Sequence, residues 1–413
     1  MPSPSGDFFG RQMTVTILFD LDDTLLQNSM ECFLPAYFQL LGKHLNQYYP
    51  AEKLPQLILH ATNKMISNIN PSYTLEDRFN QEFYKHIYKN DDKLQESILD
   101  FYDNIFPQLE TKTRKIEGVR ELIQKLHHDG YAIGITTNPL FPKQAILHRL
   151  AWAGIPNHDF HYQIITSYED FHFAKPHPEY IAETLTQMGW PDGPVMLVGN
   201  DWTADILPAE ELGIPTFYLG SQTESTKVQQ NPLSKTGNHD EIYSWIKDTL
   251  QQITTFECIH TPSAYLAILR STPAGLETIL KNISLEESKA KPIKDEWSIV
   301  EIISHLYDVD KEVNIPRLKK LKSSQEPFFT AINTDDWAVI KNYQENQFPK
   351  IFNLFIQTRL ELIDEILSLS EEDWAKTISH TVFGPTTVLE IIKFIAQHDR
   401  IHIQQIHKTL TVI

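Results

Sequence analysis

The rhythm of apolar and polar positions changes near residue 255. Before it, short apolar runs recur: "VTILF" (15–19), "YAIGITT" (131–137), "YQIIT" (162–166), "PVMLVG" (194–199) and "PTFYL" (215–219). Runs of this length, apolar on both faces, predict buried parallel strands. Between them lie "GVRELIQKLHHDG", "FPKQAILHRLAWAG", "PEYIAETLTQMG" and "ADILPAEELG". These carry apolar residues at helical spacing and end in glycine, a helix-stop signal. Strand–helix alternation predicts an α/β doubly wound parallel sheet of Rossmann-like type. Between the first two strands, residues 27–116 read as helical throughout. An insertion of that length predicts a helical cap over the sheet edge.

After a loop over 220–241 and a helix over 241–251, the pattern becomes purely helical. Four long helices are predicted, roughly 262–283, 297–323, 338–369 and 386–410, forming an all-α four-helix bundle. All but two of the 15 glycines precede residue 240, the exceptions being Gly275 and Gly384. Many glycine turns suit a sheet, and their scarcity suits long helices. The expected division is 13–254 for the α/β domain and 257–413 for the bundle.

Charge and composition narrow the function classes. Net charge is −18, which repels phosphate backbones and argues against nucleic-acid binding. Two cysteines, Cys32 and Cys258, cannot form a disulfide framework, so a reducing compartment is expected. The start "MPSPSGDFFGRQM" lacks a cationic, then apolar leader. No apolar run approaches the roughly 18 residues of a membrane span. The expectation is a cytoplasmic protein with no membrane partner.

The candidate chemistry lies at the predicted strand ends. "ILFDLDDTLL" brings Asp20, Asp22 and Asp23 together after the first strand. Like charges in a partly dry site destabilise one another unless a cation offsets them. The second strand ends at Thr136 and Thr137, "AKPHPEY" supplies Lys175, and "VGNDWTADI" supplies Asp201 and Asp205. A rim of carboxylates, a hydroxyl and a lysine suits Mg²⁺ and a phosphate. Asp23 reads as a turn cap and Thr136 as a strand residue. His44, His60 and His86 receive no role.

These four motifs, in this order, resemble those of haloacid dehalogenase (HAD) superfamily hydrolases. The resemblance covers residues 13–254, with "GND" standing where many members have "GD". It implies that Asp20 attacks phosphorus and that Asp22 serves as acid and base. Thr137 and Lys175 would hold the phosphoryl oxygens, and Mg²⁺ would sit on Asp20, the Asp22 carbonyl and Asp201. Asp205 would either touch the metal or orient Lys175. An acid at position 22 favours a phosphatase over a dehalogenase, which has no leaving alcohol to protonate.

In the second half, His305 lies on an apolar stripe with Ile302, Leu306, Val309 and Val313. His398 and His402 sit one turn apart on a stripe with Ile391, Ile395 and Ile406. One buried histidine is usually a hydrogen-bonded core residue. Three on inward stripes fit a divalent-metal site better. Asp308 is the expected holder of a ring N–H. His260, His380 and His407 lie off these stripes. "WSIVEIISHLYDVD" and "FGPTTVLEIIKFIAQHDRIH" resemble the DinB superfamily of metal-binding bundles. That resemblance implies Zn²⁺, Ni²⁺ or a similar divalent ion on His305, His398 and His402.

The reading is a Mg²⁺-dependent phosphatase of small phosphorylated metabolites fused to this bundle. A homodimer through the bundle is part of the expectation. Two alternatives stay open: thiol-dependent transferase chemistry in the bundle, and a non-catalytic sensor of a phosphate ligand.

Overall fold

A computed structural model of the chain describes residues 14–87, 92–220, 231–255, 258–294 and 296–413. The chain divides into two compact units. One holds residues 13–184 and 191–258, and the other holds 259–413 with 185–190.

The first unit is built on a six-stranded sheet. Its strands are β1 (Thr16–Phe19), β4 (Ala132–Ile135), β5 (Ile164–Ile165), β6 (Val195–Gly199), β7 (Thr216–Tyr218) and β8 (Lys235–Thr236). They lie in the order β5-β4-β1-β6-β7-β8, and every pairing is parallel. All four residues of β1 are buried, because the central strand of such a sheet is covered on both faces. β8 falls within the stretch expected to be a loop, of which residues 221–230 lie outside the described residues.

Register positions the chemistry. Phe19 pairs with Ile135 on one side and Val198 on the other. Asp20, Thr136 and Gly199 therefore leave the sheet at one edge, the C-terminal edge where open α/β sheets build their sites.

The insertion after β1 is helical, as its sequence pattern predicts. It contains α1 (Met30–Leu45), α2 (Leu54–Ile66), α3 (Leu75–Phe83) and α4 (Asp92–Asp100). A two-stranded antiparallel ribbon of β2 (Leu26–Gln27) and β3 (Arg114–Lys115) ties its two ends together. Phe33, Tyr37, Phe101 and Phe106 pack edge to face in its core, an arrangement aromatic quadrupoles favour. The remaining helices of this unit are α5 (Val119–His128), α6 (Lys143–Trp152), α7 (Pro178–Gln187), α8 (Leu207–Glu211) and α9 (His239–Thr249).

The second unit is helical. α10 (Pro262–Leu280) is followed by the short α11 (Leu285–Lys289). α12 (Ile299–Val309) runs through a π-helical turn into α13 (Ile315–Ser323). The short α14 (Trp337–Ile340) precedes α15 (Phe348–Leu367), and the short α16 (Glu371–Ala375) precedes α17 (Val388–Leu410). The expected helix over 338–369 is therefore split. Asn342 takes a left-handed backbone, and Pro349 opens α15, a position where its missing N–H costs nothing. A small sheet of β9 (Phe328–Phe329), β10 (Thr377–His380) and β11 (Gly384–Thr387) also stands where only helices were expected.

Capping boxes start the two histidine-bearing helices. Ser298 and Glu301 open α12, and Thr387 and Glu390 open α17. In the core, fully buried Arg359 donates to Asp310 (Nε–Oδ2, 2.7 Å) and to Asp399 (Oδ1, 3.0 Å). Asp399 also accepts the Thr272 hydroxyl at 2.7 Å. These bonds fix the rotation of α17 and with it the direction of its histidines. No helix among the described residues is long and apolar enough to cross a membrane.

Candidate functional site: a carboxylate–lysine cluster and a histidine triad

Asp20 stands one residue beyond β1. Its N–H donates to the Val198 carbonyl at 2.9 Å, and its side chain is almost fully buried. Lys175 Nζ donates to Asp20 Oδ1 at 2.6 Å and to Asp205 Oδ1 at 2.5 Å. Burial pushes the Asp20 carboxyl up to about 7 against the pull of Lys175, with Asp205 and Asp22 adding to the rise. Burial works against the Lys175 ammonium, but the carboxylates of Asp20 and Asp205 outweigh it and hold it above its ordinary value. The opening cluster of acids is thus balanced in part by one buried lysine.

Lys175 is aimed by the segment before it. Glu183 accepts the His172 ring (Nδ1–Oε1, 2.7 Å) and the backbone N–H groups of His172 and Phe173, all buried. Asp205 is aimed from both sides. Its second oxygen accepts the N–H groups of Asn200 (3.1 Å) and Asp201 (2.9 Å). A Cβ at Gly199 would lie 2.5 Å from this carboxylate, so only glycine fits there. With Lys175 on one oxygen and two amides on the other, Asp205 is arranged to orient the lysine.

Thr137 is buried at the end of β4. Its carbonyl accepts the hydroxyls of Thr166 and Tyr180, each at 2.8 Å. Its own hydroxyl makes no hydrogen bond among the described residues. Asp23 has a left-handed backbone (φ 57°) and accepts the Asn28 N–H at 2.8 Å, a turn role.

Two residues that sequence reasoning missed hold Asp22. Arg149 donates to Asp22 Oδ2 at 2.5 Å, and Asn28 Nδ2 donates to Oδ1 at 2.8 Å. Arg149 is 1% exposed, and its Nε and remaining terminal nitrogen have no partner among the described residues. Its guanidinium also lies over the Phe141 ring, 5.1 Å from the centroid. A signal for it exists: Arg149 shares the buried face of α6 with Ala145, Ile146 and Leu150. A charge on an apolar stripe needs a partner.

Asp201 and Asn200 divide their roles differently from expectation. Asp201 is exposed, and its Oδ1 accepts the N–H groups of Thr203 (2.8 Å) and Ala204 (2.9 Å), capping the turn that follows. Asn200 instead brings one atom of its amide to the Asp22 carbonyl (3.0 Å), Thr24 Oγ1 (3.0 Å) and Asp20 Oδ2 (3.2 Å).

The three histidines of the bundle converge. His398 Nε2 lies 3.0 Å from His305 Nε2 and 3.1 Å from His402 Nε2. Among the described residues they are the one group of three or more His, Cys, Asp or Glu whose ligand atoms all lie within 4.8 Å of one another. Metal–nitrogen bonds of about 2.0–2.1 Å in a tetrahedral site place ligand nitrogens about 3.3 Å apart, so the triad fits an ion with little movement. Burial holds all three rings below their ordinary pKa, His305 at about 3, His398 well below and His402 lowered. Neutral imidazoles are what a metal requires.

His402 Nδ1 donates to Gln405 Oε1 at 2.7 Å, which leaves Nε2 bare and turned inward. Trp297 stacks on His402 (5.9 Å, 8°) and lies 4.8 Å from the His305 ring. The expectation for Asp308 is corrected. Its Oδ2 accepts Tyr343 OH (2.8 Å) and Lys341 Nζ (2.9 Å) rather than a histidine N–H. Gln405, one turn along α17, does that work for His402.

Comparison with known proteins falls into the same two parts. Residues 17–219 match the family model of haloacid dehalogenase-like hydrolases, and residues 268–406 match that of the DinB superfamily. The uncharacterized protein YuaE of Bacillus subtilis is 29% identical over 145 residues, covering 32% of this chain and 90% of its own length. Pyrophosphatase PpaX of Halalkalibacterium halodurans is 22% identical over 205 residues, covering 50% and 83%. Among solved structures, a HAD phosphatase from Thermococcus onnurineus is similar at 17% identity and a TM-score of 0.37, covering 56% of this chain and 98% of its own.

Proposed function

We propose that this chain, whose residues 17–219 belong to the haloacid dehalogenase-like hydrolases and residues 268–406 to the DinB superfamily, is a Mg²⁺-dependent phosphatase of small phosphorylated metabolites. One observation carries the reading: a buried Asp20 at a strand end, bonded to Lys175, with Asp22 two residues beyond it. Similarity to enzymes named pyrophosphatases supports a phosphorylated substrate.

Asp20 attacks phosphorus through one carboxylate oxygen as the bond to the leaving oxygen breaks, forming an aspartyl-phosphate. Asp22 gives a proton to the leaving oxygen and then takes one from the water that hydrolyses the intermediate. To reach the leaving oxygen Asp22 must part from Arg149 or Asn28, which occupy its two carboxylate oxygens. Lys175 and the Thr137 hydroxyl hold phosphoryl oxygens where charge spreads in the transition state. Asp205 keeps Lys175 in line. The residues fit Mg²⁺, because Asp20 Oδ2 and the Asp22 carbonyl approach a common point beside Asn200. Bound there, Mg²⁺ would favour the ionised Asp20 and neutralise charge on the phosphoryl group. The helical insertion is expected to select the leaving group.

In the bundle, His305, His398 and His402 would hold one Zn²⁺, Ni²⁺ or similar ion, with a position left for water or substrate. The cytoplasm remains the expected compartment and a second copy of the chain the expected macromolecular partner. The test is a panel of phosphorylated metabolites and pyrophosphate assayed with Mg²⁺ on the wild type and on Asp20→Asn. Turnover that vanishes in the variant supports the reading. Turnover that persists in a folded variant overturns the covalent route.

A further inference from the structure

We propose that Asn200, and not Asp201, supplies the third protein oxygen of the Mg²⁺ site, so that the ion is held by a single carboxylate. The proposal rests on the Mg²⁺ reading above and names a residue within it.

Geometry separates the two candidates. The inward amide atom of Asn200 lies 3.0 Å from the Asp22 carbonyl and 3.2 Å from Asp20 Oδ2. Octahedral Mg²⁺ with bonds of about 2.0–2.1 Å places neighbouring ligand oxygens about 2.9 Å apart. The two distances from the Asn200 amide atom are therefore close to two edges of one octahedral face. Asp201 is directed elsewhere, since its Oδ1 is engaged by Thr203 and Ala204 and its side chain is exposed.

The backbone cannot readily exchange the two. Asp205 clamps the N–H groups of both Asn200 and Asp201, and Gly199 packs against that carboxylate. Turning the Asp201 side chain inward would break the two capping hydrogen bonds from Thr203 and Ala204.

Amide chemistry explains how asparagine serves. An amide can present either end. With nitrogen inward it donates to the Asp20 and Asp22 oxygens. With oxygen inward it accepts the Thr24 hydroxyl at 3.0 Å and faces the Asp22 carbonyl and Asp20 Oδ2 with no proton between them. That second arrangement is stable only around a cation. The same side chain thus satisfies the acids before the ion arrives and ligates it afterwards. The consequence is a weaker ion site, since the number of charged ligands tunes affinity.

The experiment is calorimetric titration of the full chain with Mg²⁺, on wild type, Asn200→Asp, Asn200→Leu and Asp201→Asn. Mg²⁺ prefers oxygen ligands, so the histidine triad does not compete for it. Expected are at least about ten-fold tighter binding for Asn200→Asp, loss of binding for Asn200→Leu with an unchanged melting curve, and wild-type affinity for Asp201→Asn. Asparagine caps as well as aspartate, so this last variant keeps its fold. Loss of binding in Asp201→Asn, or its retention in Asn200→Leu, would overturn the assignment. So would a wild type that binds no Mg²⁺ at millimolar concentration while Asn200→Asp binds it, because the amide would then face inward by its nitrogen alone. If no variant binds Mg²⁺, the parent reading of a Mg²⁺-dependent enzyme fails as well.

Discussion

In the hydrolase unit the reactive groups arrive from four separate segments: Asp20 and Asp22 after β1, Thr137 after β4, Lys175 from its loop, and Asp205 after β6. In the bundle three histidines arrive from only two helices, α12 and α17. The first site keeps charge in a buried place by balancing it, two carboxylates against one ammonium, with Mg²⁺ proposed to complete the balance. The second removes charge altogether, because burial keeps its rings neutral. Oxygen ligands suit a hard ion that retains water, and bare imidazoles suit a borderline one. The two sites should therefore respond to different perturbations.

The largest effect is expected at the nucleophile. Asp20→Asn should lower phosphatase turnover by on the order of 10⁴ or more while metal bound by the bundle stays unchanged. Steady-state kinetics and elemental analysis on the same sample check both halves. A variant that also loses the bundle metal would show that the sites are coupled.

Next comes the acid and base. Asp22→Asn should slow hydrolysis of an alkyl phosphate by about 10²–10⁴, and slow a nitrophenyl phosphate far less, because nitrophenolate leaves without a proton. Equal losses on both substrates would remove the role. Arg149→Met should act more mildly, lowering kcat by roughly ten-fold through the position of Asp22 while KM stays near wild type. A kcat equal to wild type would mean that Arg149 only fills space.

The bundle supplies the converse test. His398→Ala with His402→Ala should abolish binding of about one divalent ion per chain. If the ion is present at about a hundred times its dissociation constant, the bundle should lose about 3 kcal/mol, or roughly 5–10 °C in melting temperature. Phosphatase kcat and KM should not change. Metal-free wild type that melts at the same temperature would leave the three as core histidines. The smallest effect is expected for Asp308→Asn, which should keep the metal and cost about 1 kcal/mol through weaker bonds to Tyr343 and Lys341. Loss of metal there would return Asp308 to the site.

Much of the plan is legible along the chain because it depends on near neighbours. The apolar runs mark β1, β4 and β6, the helical spacing marks α12 and α17, and an interval of four residues sets His398 beside His402. The cluster "DLDDT" carries two of its roles on residues only two positions apart. Several features that escaped join residues far apart. Arg149 meets Asp22 across 127 positions, and Tyr343 meets Asp308 across 35. β9 pairs with β10, 51 residues later, in a segment too short to show a strand pattern.

The two-part architecture, the strand ends where chemistry gathers, and Asp20, Lys175 and the three histidines as candidates can all be read along the chain. Those follow from periodicity and residue type, which act over a few positions. Which neighbour faces inward is set by packing in three dimensions. Asn200 and Asp201 are adjacent in sequence and alike in shape, yet one meets the Asp20 carboxylate and the other caps a turn. The difference comes from Asp205, whose carboxylate grips both their amides and so sets the direction of each side chain.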